Sequence, residues 1–126
     1  MGSTTNNWDT RTFQATAVAI SAYSLVQLDS AGKILVAGDS GSEQIIGVTT
    51  DDIEASGWGN VRLLNAGGTI EVLAGGDTIA IAATVYADGS GKVGTDSGNT
   101  KVGVSLQASS ANNDVVEVYC HQEFLA

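Results

Sequence analysis

The sequence of 126 residues contains no proline and a single cysteine, Cys120. One cysteine cannot form an internal disulfide, so packing and hydrogen bonds must hold the fold, with or without further subunits. Without proline, turns depend on Gly, Asn, Asp and Ser, and the 16 glycines are almost twice the share of roughly 7% found in an average chain. This composition is typical of β-rich proteins.

Positive charge is also scarce. Five Lys and Arg residues face 14 Asp and Glu, which gives a formal net charge of −9. Such a protein repels phosphate backbones and anionic membranes, so we expect neither nucleic acid nor membrane as a partner. No run approaches the roughly 18 apolar residues of a membrane helix, and the N-terminus lacks the basic and apolar segments of an export signal. We therefore expect a soluble protein, and its length suits one domain.

Helical periodicity is missing as well, and short β-branched and apolar runs alternate with small polar clusters. These runs predict nine strands, at residues 11–20, 25–28, 33–36, 44–49, 59–64, 69–73, 78–86, 101–106 and 115–121. The fold class predicted is all-β, a small single-domain β-barrel or sandwich. We expect residues 1–11 to form an extended N-terminal arm and residues 12–126 the β-domain.

An internal pseudo-repeat is the most informative feature. Residues 25–34 resemble residues 84–93, 45–49 resemble 101–105, and 61–64 align with 116–119. The repeated halves then lie at about 21–66 and 80–121, and two such halves could close into one barrel. Gly47 and Gly103 lie inside strand patterns, and we interpret both as barrel corners. The alternative is chance similarity between Gly-rich hairpins.

Few residues could carry chemistry. Cys120 and His121 are adjacent, but neighbours on a strand point to opposite faces and cannot form a dyad. A zinc site would have to consist mainly of carboxylates, and no phosphate-binding loop is present. We predict no enzyme, no catalytic residue and no cofactor.

Four aspartates raise the question of calcium, because each lies in a Gly- and Ser-rich loop: Asp29, Asp39, Asp88 and Asp96. None is part of a calcium-binding loop pattern, and each loop offers too few ligands. The favoured interpretation is that each aspartate caps its own turn. We therefore predict no metal site.

The N-terminal segment is the best candidate for a partner contact. Residues 1–10 are polar yet contain Trp8, and Arg11 and Phe13 follow closely. Trp and Arg are the residue types that anchor interfaces. Trp58, between two glycines, is a second possible anchor at a loop tip. The alternatives are that Trp8 plugs its own barrel and that Trp58 is a lid over the barrel end.

The two hairpins share a spacing, with Asp29, Gly32 and Lys33 in the first and Asp88, Gly91 and Lys92 in the second. Each is followed by a strand with a central glycine, and the chain is acidic, rich in Gly, Ala and Thr, and without proline. Over residues 12–123 this pattern resembles the small capsid decoration, or cement, proteins of tailed phages.

The resemblance implies a structural virion protein, made in the host cytoplasm, on the outer surface of an icosahedral capsid. It implies that the major capsid protein is the partner, that neighbouring capsid subunits are cemented, and that a homo-oligomer forms, with a trimer favoured. One alternative is a phage tail or head-fibre component. Another is a small ligand- or carbohydrate-binding β-module, although the seven aromatic residues form no evident strip.

Overall fold

A computed structural model describes residues 10–38, 45–64 and 68–120. Its strands are β1 (Thr10–Gln14), β2 (Leu25–Leu28), β3 (Ile34–Val36), β4 (Ile45–Thr49), β5 (Trp58–Leu63), β6 (Thr69–Leu73), β7 (Thr84–Ala87), β8 (Val93–Gly94), β9 (Lys101–Ser105) and β10 (Val115–Cys120). The predicted all-β class is confirmed. Within the described ranges, no helix has the length and apolarity needed to cross a membrane.

The strands form two antiparallel sheets with the same order. The first sheet runs β1-β5-β4-β2-β3 and the second β6-β10-β9-β7-β8, so each strand of the first sheet has one counterpart in the second. We call residues 10–64 the first unit and residues 68–120 the second unit. The repeat includes β1 and β6, which the halves found in the sequence leave out.

The pairing registers correct one part of the sequence alignment. Gly47 pairs with Leu63 in the first unit, and Gly103 pairs with Cys120 in the second. Val61 therefore corresponds to Val118, and the alignment with Val116 was wrong by two residues. A shift of two keeps every side chain on the same face of a strand, so the alternating pattern alone could not detect it.

Two predicted strands are shorter in the structure. β1 ends at Gln14, although a strand was predicted to residue 20, and β7 begins at Thr84, although one was predicted from residue 78. In both units a residue with left-handed backbone precedes the next strand, Tyr23 (φ 63°) and Ala82 (φ 70°). Such a conformation is uncommon for residues other than glycine, so composition does not indicate it. At the N-terminal end, β1 includes Thr10 and Arg11, which the sequence analysis assigned to the arm.

The two halves do not close into a single barrel, which was one of the two architectures that the sequence left open. Among the described residues, every strand ladder joins two strands of the same unit, and no ladder joins a strand of the first unit to one of the second. The edge strands of each sheet approach each other at one parallel bridge, Ala15 with Ile34 and Ala74 with Val93. The two sheets pack against each other in a sandwich-like arrangement instead.

The buried core is divided unequally. A larger cluster includes the buried apolar residues of the second unit together with four from the first: Leu25, Ala37, Val48 and Leu64. A smaller cluster belongs to the first unit alone and contains Phe13, Ala15, Ile20, Val26, Ile34, Ile53 and Val61. Because burial of one Val, Leu or Ile side chain contributes about 1.5–3 kcal/mol, the shared cluster joins the two units firmly.

Gly47 and Gly103 mark bulges rather than barrel corners. Val26 pairs with Gly47 but Gln27 pairs with Ile45, so the residue before the glycine is extra, and the same shift occurs in β9. A Cβ atom on Gly47 would overlap the carbonyl oxygen of Arg62, and one on Gly103 that of Tyr119. Each glycine therefore permits a close approach of two backbones.

Candidate partner-binding surface

A groove of about 330 Å³ lies on the outside of the first unit. The antiparallel pairing of β1 with β5 puts Gln14 opposite Trp58, and the β2–β3 turn lies beside them. The lining of the groove includes Arg11, Phe13, Leu28, Gly32, Lys33 and Trp58. The structure thus brings together three of the four side chains that the sequence predicted for partner binding. The fourth, Trp8, lies outside the described residues.

These side chains differ in what they offer to a partner. Phe13 is buried in the smaller core cluster, so it supports the groove from below. The Arg11 guanidinium lies 5.0 Å from the centroid of the Phe13 ring, an arrangement that contributes about 0.5–1 kcal/mol at an exposed site. Trp58 is 68% exposed and begins a strand, so it is neither a lid nor at a loop tip.

Sequence reasoning missed Leu28, the last residue of β2. Its side chain is 38% exposed and lines the groove beside Gly32. Its strand pattern is that of an ordinary apolar residue, and only the tertiary structure shows that it faces outward.

The groove is basic in an acidic protein. Arg11 and Lys33 contribute two positive charges to its lining, and none of the described lining residues is acidic, while the whole chain has a formal charge of −9. A partner with apolar groups and a negative charge therefore fits this surface better than a basic one.

Loop aspartates cap their own turns. The Asp29 Oδ1 atom accepts hydrogen bonds from the backbone N–H of Ala31 and Lys33, both at 2.9 Å. In the second unit, Asp88 Oδ1 accepts from Ser90 N at 2.9 Å and Lys92 N at 3.2 Å. Asp96 Oδ1 accepts from Gly98 N at 2.9 Å. Capping is confirmed for these three, and Asp39 lies outside the described residues.

No described part of the chain brings three or more His, Cys, Asp or Glu side chains together as a metal site would. The turn that borders the groove is held by hydrogen bonds that Asp29 accepts from the backbone, and its counterpart is held in the same way by Asp88.

A second cavity, of about 380 Å³, lies between the two units. Its polar groups bond to one another: Arg62 Nε donates to Thr69 O at 3.1 Å, and Thr69 Oγ1 donates to Glu117 Oε2 at 2.6 Å. The Gln107 side chain accepts from the backbone N–H of Glu117 at 2.8 Å. Only the bond from Arg62 to Thr69 crosses between the units, and the other two hold Thr69, Gln107 and Glu117 together within the second unit. The arrangement is that of an interface between sheets.

Cys120 packs against the larger core cluster. Burial raises the pKa of its thiol, and the nearby positive charge of Arg62 opposes that shift only in part. The thiol therefore stays protonated at neutral pH, which makes it a poor nucleophile. His121 lies outside the described residues, so the dyad considered from the sequence is not placed.

Comparison with known proteins gives a consistent result. The model of the phage cement protein family matches residues 5–120. No curated protein matches the chain. Among solved structures, the fold is similar to that of the head fiber gp8.5 N base in bacteriophage phi29, with a TM-score of 0.70, 16% sequence identity, and 93% of this chain and 98% of that chain covered. As its sequence resemblance predicted, the chain belongs to the phage cement protein family and is a structural protein of the phage head.

Proposed function

We propose that the protein binds the outer surface of an icosahedral phage capsid and cements neighbouring major capsid protein subunits. The observation that carries this proposal is the family match over residues 5–120. The formal charge of −9 supports it, because a protein present in many copies on a shell gains solubility from like charge. The active form is an oligomer, with a trimer favoured.

The residues proposed to bind partners are Trp8, Arg11, Phe13 and Trp58. Arg11, Phe13 and Trp58 line the groove, and residues 1–9 directly precede β1, the strand that supplies Arg11 and Phe13. We assign the capsid contact to the arm that carries Trp8. A tryptophan that loses its water on binding can contribute roughly 2–4 kcal/mol.

Deleting residues 1–9 tests this assignment. Thr10 must be kept, because it pairs with Arg62 in the first sheet. The shortened protein should keep its β-type circular dichroism and melt within a few degrees of the parent. Its affinity for capsids should fall by about 30- to 1,000-fold. Deletion of residues 2–7, which retains Trp8, is the matched control and should bind almost normally.

Two outcomes would contradict the arm. If Trp8 plugs its own fold, the deletion should lower the free energy of unfolding by about 3–5 kcal/mol. If neither stability nor capsid binding changes, Trp8 has no role as an anchor.

A component of a head fibre is the second candidate, favoured by the fold similarity to a head fiber base. The two functions differ in what happens when the protein is absent. Heads that lack a cement should release their DNA at a lower temperature, and adding the purified protein should restore their stability. Heads that lack only a fibre should be as stable as complete ones, and electron microscopy should show isolated projections instead of a regular coat.

We also propose that the protein has no catalytic activity and does not bind sugars. The protonated Cys120 thiol supports the first point. For the second, the exposed aromatic residues Trp58 and Tyr119 lie in different units, whereas a sugar-binding strip would bring such rings together.

A further inference from the structure

The contact between the two units, which we call the seam, joins different faces of the two sheets. On the first unit the seam uses the covering face, formed by Tyr23, Leu25, Val36 and Ala37. On the second unit it uses the receiving face. Leu73 and Gly91 of this face bond to the first unit, Ile70 lines the cavity between the units, and Ala87 belongs to the core cluster that both units share. Three backbone hydrogen bonds cross between them: Leu25 N to Gly91 O (2.7 Å), Gly91 N to Ala37 O (3.2 Å) and Leu73 N to Tyr23 O (2.9 Å).

Because each unit has the same fold, each has both a covering face and a receiving face. In the part of the chain that the structure describes, one of these two faces on each unit is not covered by the other unit. The receiving face of the first unit consists of Arg11, Gln14, Leu28 and Gly32, the positions that correspond to Ile70, Leu73, Ala87 and Gly91. Leu28 is 38% exposed, while Ala87 at the same position is 1% exposed. Gly91 is buried and Gly32 is exposed.

The covering face of the second unit is open in the same way. Its positions are Ala82, Thr84, Thr95 and Asp96, which correspond to Tyr23, Leu25, Val36 and Ala37. Leu25 and Ala37 are buried, whereas Thr84 is half-buried and Asp96 is exposed. Nearby, Tyr119 is 52% exposed, while its counterpart Arg62 is half-buried at the seam.

We infer that the open covering face of one chain binds the open receiving face of another, in the geometry that the seam already shows within one chain. The occupant of the groove is thus a second copy of this protein. The contact is head-to-tail, so it forms a ring if the rotation closes and a filament if it does not. This inference deepens the oligomer proposed above and rests on that part of the proposed function.

The residues at the open faces fit such a contact. The receiving groove is basic through Arg11 and Lys33, and the covering face has Asp96 where the seam has Ala37. In the seam geometry Asp96 of one copy would approach Gly32 of the next, beside Lys33. Apolar seam residues are replaced by Thr84, Thr95 and Asp96, a composition typical of an interface between subunits that are soluble before they assemble.

Disulfide formation tests the contact directly. A Cβ atom on Gly91 would lie 3.2 Å from the Cβ atom of Val36, near the spacing of a disulfide. The corresponding positions between copies are Gly32 and Thr95. In a Cys120→Ser background, the Gly32→Cys/Thr95→Cys protein should oxidise to a ladder of covalent multimers. The positive control is Val36→Cys/Gly91→Cys, which should close the same bridge within one chain.

Mixing experiments define the direction of the contact. A mixture of the Gly32→Cys and Thr95→Cys proteins should give covalent dimers and nothing larger, because each chain then has one reactive face. The negative control combines Gly32→Cys with Val18→Cys, an exposed residue that is not a member of either face as defined above. Should the backbone of Gly32 (φ 79°) not tolerate cysteine, Ala31→Cys with Thr95→Cys and a short bis-maleimide replaces that pair.

The reaction is run on free protein at its highest soluble concentration and on protein bound to phage heads. A ladder in either sample, absent from the negative control, supports the inference, and the last band of the ladder gives the number of chains in a closed ring. Crosslinking no greater than the negative control in both samples overturns it, as does efficient self-crosslinking of Gly32→Cys alone. Capsid binding without the ladder would support the cement function and contradict the contact between copies. A ladder without capsid binding would support the contact and contradict the cement function.

Discussion

The first and second units have the same backbone fold, and they differ in which of their two faces is covered by the other unit. Each unit has a bulge before a strand glycine and a capping aspartate, and each has a left-handed residue before its second strand. At the seam the two sequences diverge: Leu25 is buried in one unit and Thr84 is half-buried in the other. In a duplicated fold, positions that the backbone requires are kept in both copies, while positions that depend on packing follow what covers them.

The strand glycines give the largest effect and should affect both units alike. A Cβ atom at residue 47 or residue 103 would overlap a carbonyl oxygen of the neighbouring strand. We expect Gly47→Ala and Gly103→Ala each to lower the free energy of unfolding by more than about 3 kcal/mol. Denaturation in urea measures the loss. Gly76→Ala, where a Cβ meets nothing within 4 Å, should stay within about 0.5 kcal/mol of the parent.

If only one of the two substitutions lowers the free energy of unfolding strongly, the two units do not share the requirement for a glycine at this position.

Leu25 and Thr84 occupy the same position and should respond very differently. Leu25→Ala empties a fully buried site at the seam, for which we expect a loss of about 2–5 kcal/mol. Thr84→Ala removes a half-buried side chain, and we expect a change within about 0.5 kcal/mol. Thermal and urea unfolding at low protein concentration compare the two. Equal losses would refute the assignment of covered and open faces.

The turn glycines separate backbone strain from packing. Gly91 (φ 80°) and Gly32 (φ 79°) have the same backbone, but a Cβ on Gly91 lies 3.2 Å from Val36 and one on Gly32 has nothing within 4 Å. Alanine at either site should lower the free energy of unfolding by about 1–2 kcal/mol through backbone strain. At Gly91 crowding against Val36 should lower it by about 1 kcal/mol more. The measurement is the difference between the urea unfolding midpoints of the two variants. Equal midpoints would mean that Gly91 is not closely packed at the seam.

The capping aspartates should give the smallest effect, of similar size in both units. Asp29 and Asp88 each accept two backbone N–H groups, so alanine at either position should lower the free energy of unfolding by about 1–2 kcal/mol. Asparagine retains the accepting oxygen and should recover most of that loss. If asparagine is as damaging as alanine, hydrogen bonding is not what these side chains contribute.

Much of the fold could be predicted from local pattern. Alternating apolar residues and Asp-Gly turns indicated the strands, and the matched turns at Asp29 and Asp88 indicated the repeat. The match of β1 with β6 was missed because those strands share little beyond alternation, and β8 was missed because it has two residues. Residue type singled out Arg11, Phe13 and Trp58, and it could not distinguish buried Phe13 from exposed Trp58.

The sequence by itself determined the local features: most of the strands, the capped turns and the positions of the two glycines within strands. These depend on bonds and contacts of residues with their neighbours or with the adjacent strand. Only the tertiary structure decided that Gly91 is covered and Gly32 is open, although both have the same backbone and the same aspartate-capped turn. Burial at the seam joins residues far apart in the chain, such as Tyr23 and Leu73, and no local pattern specifies which unit lies against which face.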